Sequence, residues 1–154
     1  MQLAFAAAHG QGSSMTVPAV LLPVFVQVGL TFFLLFWMGA VRLRALKGRE
    51  VRLGDIALRQ PAWPERPTRI SNAYDNQFQL PVLFYALVPL ALITRKADLL
   101  FVVLSWIFVG TRLAHAAIHT TSNNVRQRFM AFLVGGIVLL IMWIVFAAHI
   151  LLGI

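Results

Sequence analysis

The chain has 154 residues, 60% of them hydrophobic and 12% charged, with no cysteine and a formal net charge of +8. Soluble domains carry about 25% charged residues, so hydrophobicity this high, gathered into long runs, predicts a membrane protein. The same figures exclude disulfides, thiolate metal sites and a cysteine nucleophile, and four spans of about 20 residues each leave no room for a separate soluble catalytic domain.

Residues 1–15 read as an uncharged tail, too short to span and lacking the basic start of a signal peptide, with Met15 as an alternative first residue. From 16 to 41 there is no charge, and Gln27 is the one strongly polar side chain, which predicts the first span with Trp37 near one end. The hydrophilic stretch 42–69 holds eight basic residues, at 42, 44, 47, 49, 52, 59, 66 and 69, against Glu50, Asp55 and Glu65. Pro61, Pro64 and Pro67 close it as irregular chain, and Thr68 is the expected cap of a second helix over 69–94 that contains Pro81 and Pro89. Asp98 is the expected cap of a third helix over 98–119, and residues 120–124 form a polar turn before a fourth span over 129–153.

The expected architecture is therefore an all-α membrane protein, an up-down bundle of four transmembrane helices forming one domain over 16–154. Loops 42–69 and 120–128 hold ten Lys and Arg, whereas the opposite side holds Arg95 and Lys96. By the positive-inside rule both loops face the cytoplasm and both termini face out. Most of the +8 is thus a topology signal, and no nucleic-acid partner is expected. The bilayer is the first partner.

Polar groups at membrane depth are candidates for function. At 100° per residue, Arg69, Asn72, Asn76 and Gln79 share one face at the start of the second helix, with Asp75 at its border. In the third helix Arg112, His115 and His119 recur at i, i+3 and i+7, and Arg126 and Arg128 follow the turn. The two stripes lie at the same depth and together suit an anionic ligand, because guanidinium groups pair with carboxylates through two parallel bonds. The competing reading is polar packing between helices and, for Arg42, Arg44, Lys47, Arg49 and Arg52, snorkelling to the headgroups. His149, Trp63, Trp106 and Trp143 read as packing or interfacial side chains, and Gly110, Ala114 and Gly135 as small residues for helix contact. No metal site is expected.

Four short-looped spans carrying Asn76-Gln-Phe-Gln79-Leu-Pro81 and Arg112-Leu-Ala-His115-Ala-Ala-Ile-His119 resemble the MAPEG family, membrane-associated proteins of eicosanoid and glutathione metabolism, in a bacterial-type form. The resemblance runs from Val17 to the end of the chain. It implies a homotrimer in an inner membrane, with glutathione as substrate or cofactor held between subunits near the cytoplasmic face. Carried over by position, Arg69, Asn72, Asn76, Gln79, Arg112, His115 and His119 would contact glutathione, and Arg126 would stabilise its thiolate. Two positions depart from the family pattern: Gln79 stands where an acidic residue is usual, and His119 where an aromatic is usual. A second register, Asn72-Ala-Tyr-Asp75-Asn76, restores the acid but moves it away from Pro81. The implied activity is transfer of glutathione to lipophilic electrophiles, or a peroxidase. Gln79 and His119 keep open a non-catalytic scaffold or a small subunit of a larger membrane complex. A channel or transporter has no support, since no acidic residue lies deep in a span.

Overall fold

The computed structural model describes residues 15–57 and 62–153. Most of the expected tail, with Met1, and also Arg59 and Pro61, lie outside the described residues. Five α-helices follow in order: α1 (Val17–Lys47), α2 (Glu65–Asp75), α3 (Leu80–Ile93), α4 (Leu99–Thr120) and α5 (Val125–Leu151). Short 3-10 turns occupy Leu53–Ile56 and Asn76–Phe78. Among the described residues there is no strand. With α2 and α3 taken as one broken segment, four helical segments are long and apolar enough to cross a membrane.

The helix ends follow from local chemistry. Pro18 occupies the first turn of α1, where its missing N–H removes no helical bond. The Asp98 carboxylate accepts from the Phe101 amide at 2.8 Å, which caps α4 as expected. Asn124 caps α5 through the Gln127 amide at 3.1 Å, so Arg126 and Arg128 stand in the first helical turn. Three connections begin with a non-glycine residue in the left-handed region: Arg49, Arg95 and Asn123, at φ of 56°, 57° and 51°. In each, the following or same amide returns to a carbonyl of the finished helix, as Lys96 N–H does to Ala91 at 2.9 Å and Asn123 N–H to Ile118 at 2.7 Å.

The start of the second segment differs from expectation. Thr68 does not cap it: the helix begins four residues earlier than expected, after Pro64, and the Thr68 hydroxyl donates back to the Pro64 carbonyl at 2.9 Å. Pro67 lies within the first turn of α2, which a proline tolerates. The segment is also not one helix. A proline ring collides with the carbonyl four residues earlier, here that of Gln77. The chain answers with a 3-10 turn at Asn76–Phe78 and leaves the helical region at Gln79, with φ −100° and ψ −101°. Pro81 then sits harmlessly in the first turn of α3.

Helix α4 is the centre of the bundle, touching α1, α2 and α5, while α3 packs on α1 and α5. Its buried stripe runs from Phe101 through Ser105 and Phe108 to Arg112, His115 and His119. Phe84 of α3 and Phe108 of α4 meet with ring centroids 4.9 Å apart, at the middle of a core that Val20, Leu87 and Met142 complete. Helices α4 and α5 approach closely at Gly135: a Cβ there would lie 2.6 Å from the Thr111 hydroxyl. Gly110, by contrast, is exposed and has open space around it, so of the expected small residues it is Gly135 that makes a tight contact. Large apolar side chains such as Phe25, Phe36, Ile93, Leu140 and Ile144 are exposed around the bundle. In water such a surface would aggregate; in a bilayer it is the ordinary outer face of a span.

Candidate functional site

The bundle's topology brings the end of α1, the start of α2, the end of α4 and the start of α5 to one end, where most of the basic residues are. Just inside that end, α4 presents three polar side chains to the interior. Arg112, His115 and His119 are 0%, 3% and 2% exposed. Arg112 Nη2 lies 3.0 Å from His115 Nδ1. A guanidinium can only donate, so Nδ1 accepts and the His115 proton sits on Nε2. The guanidinium also stands 5.5 Å from the centroid of the Phe132 ring on α5, a cation–π distance. The rings of His115 and His119 meet edge to face at 5.8 Å.

This cluster is not saturated. Arg112 Nε and Nη1 and His119 Nδ1 are buried with no hydrogen-bond partner. Among the described residues no carboxylate reaches Arg112; the nearby Glu65 pairs with Arg69 instead. A buried charge without a counter-ion costs several kcal/mol, so the cluster is electrostatically built for an anion. The unpartnered Arg112 Nε and Nη1 are donors of the kind that a carboxylate or a thiolate accepts from.

The polar face of α2 lies differently. Arg69 is half-buried, pairs with Glu65, and donates from Nη1 to the Thr121 carbonyl at 3.3 Å, so it touches the end of α4. Asn76 is half-buried and its amide donates to the Asn72 carbonyl at 2.7 Å. Asn72, Asp75 and Gln79 are exposed on the outside of the subunit, and so is Arg126 on α5. A single chain thus brings together Arg112, His115 and His119, with Arg69 at their rim. It leaves Asn72, Gln79 and Arg126 on its surface.

The polar side chain that this segment does turn inward is Gln77, in the 3-10 turn after α2, which sequence reasoning passed over. It is 1% exposed and accepts at 2.9 Å from the amide of Gln27, which is wholly buried on α1. Gln77 also donates to the Ala73 carbonyl at 2.9 Å, at the point where Pro81 breaks the helix. Gln27 was visible as the lone polar residue of its span. Its partner was not, because a straight helix phases Asn76 and Gln79 together and the break rephases the turn. Arg42 is tied down more firmly than a snorkelling side chain: it donates to the Ser71 hydroxyl at 2.8 Å and stacks 4.9 Å from the Trp63 ring centroid.

No curated protein and no solved structure matches the chain. A family model does, over residues 20–148, which takes in most or all of each of the four spans and every side chain of the cluster on α4. With a match of that extent, and an all-helical bundle carrying its charged cluster at one membrane boundary, the chain belongs to the MAPEG family, a multi-pass integral membrane protein.

Proposed function

We propose that this protein is a glutathione-dependent membrane transferase or peroxidase that acts on lipophilic electrophiles as a homotrimer. The observation that carries the reading is the buried, unpaired guanidinium of Arg112 beside His115. Family membership supports glutathione as the anion. In this reading Arg112, His115 and His119 hold glutathione from α4, and Arg69, Asn72, Asn76 and Gln79 hold it from the second segment. Arg126 stabilises the thiolate. Because Asn72, Gln79 and Arg126 lie on the subunit's outer surface, they complete the site across a subunit boundary.

A free thiol has a pKa of about 8.5, so at neutral pH only a minority is the nucleophile. A neighbouring guanidinium favours the charged form and raises that fraction, without itself acting as a base. The thiolate sulfur then forms a bond to an electrophilic carbon that arrives laterally from the bilayer, displacing its leaving group or opening its ring. Gln79 can accept from the glutathione ammonium but offers no charge, so that end is held less tightly than a carboxylate would hold it. The site lies at the basic end of the bundle, which in this reading faces the cytoplasm of a bacterial cell across its inner membrane.

Titration of the purified protein in detergent with glutathione, read by thiolate ultraviolet absorbance, tests the proposal. The wild type should bind and show the thiolate, and Arg126→Ala should lose the absorbance while retaining most of the binding. Wild-type protein that does neither would leave the scaffold reading in its place.

A further inference from the structure

Apart from the Arg112 cluster, α1 and α4 enclose a groove of about 520 Å³, lined by Gly29, Leu30, Phe33, Leu113 and Ala117 and floored by Leu34 and Ala116. At its end toward the basic side, Trp37 and Thr120 line both this groove and a second cleft of about 300 Å³, whose other walls are Glu65, Arg66 and Arg69. The two spaces adjoin. Ligand sites span roughly 300–1,000 Å³, and this pair divides such a space sharply by chemistry: apolar along the span, cationic at the boundary. Glu65 is already engaged by Arg69, and the exposed Arg66 makes no hydrogen bond within the described chain, so the cleft keeps a positive balance.

We infer that this groove is a headgroup-selective site for an anionic phospholipid. Its phosphate pairs with Arg66, beside the charge of Arg69, one acyl chain lies along Gly29, Leu30 and Phe33, and Trp37 marks the border between them. Arginine presents parallel donors that match phosphate oxygens, and a tryptophan at that depth suits both the chain and the headgroup. Charge complementarity decides between lipids: a zwitterionic headgroup brings its own cation to a cleft that already has two. Gly29 leaves the floor open, since a Cβ there would meet nothing within 4 Å.

The site adjoins the proposed glutathione contacts at Arg69 and is tested without glutathione. The intact protein is placed in bilayers of mixed phosphatidylglycerol and phosphatidylcholine, one of the two carrying brominated chains, and the Trp37 contribution to quenching is taken from the difference with Trp37→Phe. Phosphatidylglycerol should be preferred about fivefold, the effect of one basic side chain at a membrane surface. Arg66→Gln should abolish the preference, and Gly29→Phe should reduce Trp37 quenching by both lipids with the oligomer intact. Equal quenching by the two lipids in the wild type, a preference that survives Arg66→Gln, or unchanged quenching in Gly29→Phe would overturn the proposal. Loss of the oligomer in Gly29→Phe would also overturn it, and would assign the groove to a second copy of the chain.

Discussion

A guanidinium enclosed by helices with two of its nitrogens unpartnered lowers the stability of the ligand-free protein, and the molecule tolerates Arg112 at that cost. Replacing a buried, charged group by a well-packed apolar one is often neutral or stabilising by about 1–4 kcal/mol. Arg112→Leu should therefore raise the unfolding temperature of the ligand-free protein in detergent. In the proposed reading glutathione should raise the unfolding temperature of the wild type further and leave that of Arg112→Leu unchanged, since binding to the folded state stabilises it. A variant less stable than wild type without ligand would show that Arg112 is structural. His115 contributes at this scale by accepting from Arg112 at 3.0 Å, which fixes the direction of the guanidinium and aims Nε and Nη1 away from it.

Between elements, the α4–α5 contact is set by the absence of a side chain at Gly135. Adding a methyl group against a rigid neighbour costs about 1–3 kcal/mol, and the Thr111 hydroxyl cannot withdraw easily because it is bonded to the Phe108 carbonyl at 2.7 Å. Gly135→Ala should lower stability by that amount in thermal unfolding, whereas Gly110→Ala, in open space, should be neutral or slightly stabilising by helix propensity. These two glycines looked alike in sequence, and that marks the limit of what was legible. Four apolar runs, the Asp98 cap and the Arg112, His115 and His119 stripe could be read directly, because each depends on residues close in the chain. Which glycine meets a neighbour, that Gln77 turns inward to Gln27, and that Arg42 reaches Ser71 depend on residues 24–50 positions apart. The break before Pro81 had a local cause, yet membrane helices often absorb a proline, and here the chain did not.

At the scale of the whole molecule, the proposed trimer makes the site a shared property. Arg112 is buried within one subunit, while Arg126 is exposed on its surface. If Arg126 serves a neighbour's cluster, then Arg112→Leu and Arg126→Ala chains should each form inactive homotrimers. Co-expressed, they should form mixed trimers in which some boundaries carry both arginines and form the glutathione thiolate. Absorbance of the mixed preparation no greater than that of either parent would place both arginines in one subunit.

The interruption at residues 76–79 also divides the second segment into two units of unequal permanence. Pro81 contributes no amide to bridge the break, and the Gln79 backbone is turned out of helical register, so α2 and α3 share no continuous ladder of hydrogen bonds. The half at the membrane boundary holds Arg, Asn, Ser and Asp side chains, whereas α3 contributes Phe84, Leu87 and Val88 to the core. Units with few buried apolar contacts open first, so amides of α2 should exchange with deuterated water well before those of α3. One span would then have two lifetimes, a boundary half that can loosen to admit a ligand and a bilayer half that stays folded meanwhile.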